Sequence, residues 1–291
     1  MAVTDRAARV RGATFADAWR SFRTAIGLGW AVEANWSDPL LFAIYTLAKP
    51  LAAALILVVM VQVITGGQGG DILQFIIVGA ALWNVVYGVM AGVVQSILED
   101  RERYRMIKYV VLTPPSLFPF LLGRSLARML ISLVAVALTL GVGVFFLGVD
   151  LQIDVLYLVP ATILGVMSVI ALGIFMAGWC MQLRQEAWSY PEAIAGALYL
   201  VSGAIFPIDY LPPFLQPIAY VMPTTWWLEA SRRGLLGHGT PNSDIGTVPD
   251  GLVMLFLFIG TAVVVPLALV AFAWFIRRAR QAGTLDMVTG S

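Results

Sequence analysis

Ile97-Leu-Glu-Asp-Arg-Glu-Arg-Tyr-Arg-Met-Ile-Lys-Tyr-Val-Val-Leu-Thr-Pro-Pro-Ser116 holds the densest charge in the chain. Glu99, Asp100, Arg101, Glu102, Arg103, Arg105 and Lys108 fall within ten residues, and long apolar segments flank them on both sides. Charges at that density are costly in hydrocarbon, so the stretch is expected in water at a membrane surface. Two readings follow. One is a solvated loop whose basic residues fix topology. The other is a short coupling helix that docks on a separate cytoplasmic partner.

The flanks set the class. Of the 291 residues, 60% are hydrophobic and 12% charged, at a mean hydropathy of +0.87. Soluble domains carry about 25% charged residues, so an all-α polytopic membrane protein is expected. A hydrocarbon core of ~30 Å needs ~20 apolar residues per helix. Six segments qualify, at about 39–64, 72–98, 118–147, 155–183, 190–207 and 252–276. Ahead of them, Thr14-Phe-Ala-Asp17 fits a capping box. The helix it opens carries Phe15, Trp19, Phe22, Ile26 and Trp30 on one side and Asp17, Arg20, Ser21 and Thr24 on the other. Large aromatics beside a basic face suit a helix lying in the headgroup layer. No removable signal peptide is expected, since the N-terminus lacks a short apolar run followed by a small-residue cleavage site.

Lysine and arginine orient the spans. Fifteen of them fall before the first span, between the second and third with Arg124 and Arg128 just beyond, between the fourth and fifth, or after the sixth. The opposite side has only Arg232 and Arg233, with Lys49 inside the first span and left uncounted. Both termini and the charged stretch are therefore expected in the cytoplasm, in a multi-pass protein of the inner cell membrane. The loop over 208–251 is apolar at its start but broken at Pro212, Pro213, Pro217 and Pro223, and prolines end helices. Two short re-entrant helices on the outer side, between the fifth and sixth spans, fit if protein buries their backbone. Trp226, Trp227 and Tyr220 would then join an outer aromatic belt.

Several chemistries find no residues to carry them. There is no Gly-x-x-x-x-Gly-Lys-[Ser/Thr] loop for ATP, no His-Glu-x-x-His and no Cys-x-x-Cys. One cysteine, Cys180, and one histidine, His238, make neither a disulfide framework nor a metal cluster. Neither a catalytic residue nor a metal ligand is expected, and a net charge of +1 gives no reason for a nucleic-acid partner. Acidic residues at mid-depth, which coupled carriers use as relays, are lacking.

The chain resembles the permeases of the ATP-binding-cassette type-2 exporter family from the Thr14 helix to Arg280. The most specific part is Ser202-Gly-Ala-Ile-Phe-Pro-Ile-Asp-Tyr-Leu-Pro-Pro-Phe-Leu-Gln-Pro-Ile-Ala-Tyr-Val-Met-Pro-Thr-Thr-Trp226, similar to the family's Phe-Pro, Leu-Pro and Pro-x-Thr signature. The second is Asp100-Arg-Glu-Arg with Val110-Val-Leu-Thr-Pro114, similar to its charged coupling segment. Here Arg105-Met-Ile-Lys108 replaces the usual Gly-Thr-Leu-Glu core. The resemblance implies a dimer of six-span subunits, a homodimer first, each clasped by a separate ATP-binding-cassette ATPase. That partner would hold ATP and Mg, leaving this chain without a cofactor. Asp100, Arg101, Glu102, Arg103, Tyr104, Arg105 and Met106 become the expected ATPase-coupling residues. The implied path runs between the second and fifth spans, where Trp83, Asn84, Tyr87, Tyr199, Ser202 and Phe206 are candidates to line it. Packing between helices is the commoner role for any one of them.

Three functions compete: an export permease, a secondary carrier or channel, and a membrane enzyme. The missing carboxylates argue against the second and the missing clusters against the third. An amphipathic drug-like molecule or lipid is the expected cargo, with polysaccharide or a lipid-linked glycan as the alternative. The chain divides into a tail and interfacial helix at 1–37, a six-helix transmembrane domain at 38–280 and a cytoplasmic tail at 281–291.

Overall fold

A computed structural model describes residues 15–34, 70–103, 117–183 and 189–283, with scattered positions between 41 and 66. Among these the fold is all-α, without a strand. Four helices are long and apolar enough to cross a bilayer. They are α2 (Gly70–Leu98), α3 (Leu117–Leu147), α4 (Val155–Cys180) and α9 (Asp250–Ala282). The chain is a multi-pass membrane protein. Most of the expected first span, and Thr14 with its proposed cap, lie outside the described residues.

The order of elements places two ends. Leu98, Leu117, Cys180 and Ala282 gather at a charged end; Gly70, Leu147, Val155 and Asp250 gather at the other, the hairpin end. α2 is the centre, with every residue from Phe75 to Trp83 buried. α3 and α9 turn Leu130, Val134, Phe145, Phe146, Phe258 and Val270 outward. So much exposed apolar surface is unfavourable in water and suits a lipid environment.

α1 (Phe15–Ala34) lies against α3. The crossing is at Gly123, where a Cβ would stand 2.6 Å from both the Ala25 Cβ and the Phe22 carbonyl. Ala25 and Gly29 are buried and Phe22 and Ile26 half-buried, while Trp19 and Trp30 stay about half exposed. The packed face is thus offset from the expected aromatic side. Small residues make the contact, and the two indoles at its margins point outward.

The expected fifth span is shorter than predicted. α5 (Ser189–Val201) has 13 residues, about 20 Å at 1.5 Å each. It stops ahead of Gly203, whose φ of +73° is left-handed backbone that favours glycine. A 3₁₀ turn (Ile208–Tyr210), α6 (Gln216–Val221), α7 (Pro223–Leu236) and a single turn α8 (Asp244–Thr247) follow. α7 is buried along its whole length, which meets the condition for non-spanning backbone at membrane depth. A Cβ at Gly260, ten residues into α9, would be 3.1 Å from the Pro223 ring. α7 therefore begins roughly 15 Å below the hairpin end and climbs back to it. There the loop between α3 and α4 bonds to it, Gln152 N to Leu235 O and Asp154 N to Gly234 O at 2.8 Å each.

Trp226 and Trp227 correct the expected aromatic belt. They are 7% and 1% exposed and belong to the core of α7. Trp227 fills the space opposite Gly165 of α4, where any side chain would collide with its indole. Trp226 stacks 4.6 Å from Phe256 and donates its indole N–H to the Tyr220 carbonyl at 2.7 Å.

Candidate functional site

Three polar regions punctuate this bundle. The first is the seam between α2 and α5. Asn84 and Tyr87 are three residues apart and share a helix face. The ring of Trp83 lies 4.7 Å from that of Tyr199, and Tyr87 donates its hydroxyl to Glu192 Oε1 at 2.5 Å. Trp83 therefore meets Tyr199, and Tyr87 meets the same helix two turns earlier, at Glu192. Asn84 turns back to its own helix and donates to Ala80 O at 3.0 Å. Ser202 is buried beyond the end of α5 and Phe206 is half-buried in the turn that follows. Glu192 was absent from the expected path residues; its pairing spans 105 positions, which no local pattern reveals.

The second region is the charged end. α2 runs into a π turn at Glu99–Arg103, a geometry frequent at functional sites. Asp100 and Arg101 are only 3% and 1% exposed. This corrects the expectation that the whole stretch lies in water. Arg101 Nη1 donates to Cys180 O at 3.2 Å. The last carbonyls of a helix lack partners within it and carry the negative end of its dipole, so the C-terminus of α4 attracts this guanidinium. Arg128 of α3 adds a second tie, donating to Gln95 Oε1 at 2.6 Å and standing 3.8 Å from Glu99 Oε1. The turn is thereby stapled to both neighbouring helices. The side chains of Glu102 and Arg103, and Tyr104, Arg105 and Met106 entirely, lie outside the described residues.

The third region closes the hairpin end. Arg233 pairs with Glu229 at 2.8 Å one turn earlier and with Asp250 at 2.6 Å at the start of α9. It also donates to the carbonyls of Ile245, Gly246 and Val248. Burial opposes its charge, but the hydrogen bonds it donates to Asp250 and Glu229 outweigh that and raise its pKa. The Glu229 carboxylate also accepts from Thr240 Oγ1 at 2.5 Å and Thr240 N at 3.2 Å. Asp209 accepts from Ser243 Oγ and from Asp244 N. Arg232 points the other way. Its guanidinium donates to Gly203 O at 2.8 Å and Ala204 O at 2.9 Å and covers the Phe75 ring at 3.8 Å. Burial works against its charge. Gly79 makes room for this contact, because a Cβ there would collide with Ala204 O and Arg232 Nη2.

A sequence model described as "ABC-2 type transporter" matches residues 29–236, well over half of the chain. The chain belongs to this family, and it is an ABC transporter transmembrane subunit. No curated protein matches it.

Proposed function

We propose that the chain is the permease subunit of an exporter driven by ATP hydrolysis on a separate cytoplasmic subunit. The supporting observation is the stapled π turn. A load on the charged stretch would pass through Arg101 to the end of α4 and through Arg128 to α3. It would also pass along α2 itself to the Trp83–Tyr199 contact. α2 thus joins the docking end to the seam with α5, which lines the path in this reading. The cargo is an amphipathic small molecule or lipid, in keeping with the aromatic seam; a glycan is the alternative. ATP and Mg would bind the partner alone, and two copies of this chain would face each other across the path.

The arginines support the orientation. With Arg232 and Arg233 both buried and bonded, no solvated Lys or Arg remains at the hairpin end among the described residues. Arg277, Arg278 and Arg280 end α9 at the other. That asymmetry favours a cytoplasmic charged end. The test is reconstitution in liposomes with the ATPase subunit that co-purifies. Nucleotide turnover should require both chains and rise with cargo. Turnover by this chain alone, or transport driven by an ion gradient without ATP, refutes the reading.

A further inference from the structure

A small cavity lies where α5 breaks, between the turn at Ser202–Gly203 and the inner side of α7. Ser202, Thr225, Glu229, Arg232 and Thr240 supply its polar lining, and Phe75 of α2 closes one side. Ser202 Oγ, Thr225 Oγ1 and Arg232 Nε are buried polar atoms with no hydrogen-bond partner among the described residues. Their residues are 2%, 2% and 3% exposed. Three orphans around one cavity call for a common explanation, since an unmet buried donor is costly and rare in native proteins. The cavity has room for the centre of one water, about 10 Å³. Buried waters need about that space and two to four polar partners.

We propose that this cavity is a built water site. One ordered water accepts from Arg232 Nε and shares its remaining bonds with the Ser202 and Thr225 hydroxyls. Water fits better than an anion. Glu229, 1% exposed, borders the same space and repels negative charge. The Arg232 charge is already spread over two carbonyls and a ring. Placed there, the water joins three elements: the broken end of α5, α7 and, through Arg232, α2.

Thr225→Val tests it, because valine keeps the shape and removes only the hydroxyl. The whole chain, purified in nanodiscs, is followed by thermal unfolding. If a water is held, the substitution takes away one of its partners and Tm falls on the order of 2–4 °C. If the cavity is dry, removing an orphan hydroxyl leaves Tm unchanged or raises it, and the proposal is overturned. Chloride that raises the wild-type Tm saturably, where gluconate does not, overturns it in favour of an ion site. A high-resolution map of the wild-type chain decides independently of whether the variant folds. A peak within hydrogen-bond distance of Ser202 Oγ, Thr225 Oγ1 and Arg232 Nε supports the site, and an empty cavity refutes it.

Discussion

Replacing Arg233 with methionine should be among the most damaging single changes outside the apolar core. The side chain is 7% exposed and its partner Glu229 only 1%. Removing the guanidinium leaves a buried carboxylate without its counter-ion and takes a donor from three carbonyls, of which Ile245 keeps the Val248 amide. Breaking a buried pair in this way costs about 3–5 kcal/mol. Asp250 holds the same guanidinium at 2.6 Å but is 70% exposed. Solvent screens that pair, so Asp250→Asn should cost only ~0.2–1 kcal/mol. Two further variants sharpen the contrast. Arg233→Lys should fall between, since one ammonium cannot span two carboxylates and three carbonyls. Adding Glu229→Gln to Arg233→Met should recover part of the loss, because the amide is neutral and still bonds Thr240. The assay is reversible unfolding of the purified chain in mixed micelles, read by circular dichroism. A cost below about 1 kcal/mol for Arg233→Met, or equal costs for Arg233→Met and Asp250→Asn, refutes this account of the hairpin end.

Arg101 and the basic residues beyond it should separate in one experiment. Arg101→Glu sets a carboxylate against the Cys180 carbonyl and should lower folded yield on size exclusion. The pair Arg103→Glu and Arg105→Glu should leave the chain folded but weaken pull-down of the ATPase, because reversed charges meet a complementary surface. Retained binding and stimulated turnover in that pair would place the docking site elsewhere. For topology, His238→Cys should react with an impermeant maleimide on intact cells and Gln281→Cys should not. Cys180 is fully buried, so the wild-type chain should give little background, and labelling of the opposite sidedness refutes the orientation. At the seam, Tyr87→Phe breaks the bond to Glu192 while keeping the ring. It should alter cargo-stimulated turnover in liposomes without lowering Tm by more than a few degrees; unchanged stimulation argues that the pair is packing alone.

The long spans were legible because hydrophobic length is a local property. The segments expected at 72–98, 118–147, 155–183 and 252–276 became helices at Gly70–Leu98, Leu117–Leu147, Val155–Cys180 and Asp250–Ala282. The prolines after position 208 likewise announced short helices rather than a span. What stayed hidden depends on partners far along the chain. Arg232 and Arg233 read as two stray outer charges, yet Glu229, Asp250 and the Gly203 carbonyl bond them inside the protein. Arg101 read as solvated because its acceptor, Cys180, lies 79 positions away. Composition does not reveal the end of α5, since apolar residues continue through Ala204, Ile205 and Phe206 while the left-handed Gly203 ends the helix. Of the candidate path, Trp83 and Tyr199 are brought together, while Tyr87 pairs with Glu192 on the same seam. Ser202 instead faces the cavity at the break.

The two backbone bonds between the α3–α4 loop and α7 have a consequence for how the chain is made. The amides of Gln152 and Asp154 have their acceptors on Leu235 and Gly234, about eighty residues downstream. At ~5–20 residues/s the ribosome reaches those acceptors roughly 4–16 s after it finishes the loop. During that interval α4 is itself being made, and the loop ahead of it has only water or the insertion machinery to bond. α2 waits longer still for Arg232 to settle over Phe75. The centre of the bundle is made early and completed late, so a premature stop codon between α4 and α7 releases a chain whose central helix is still open on one side.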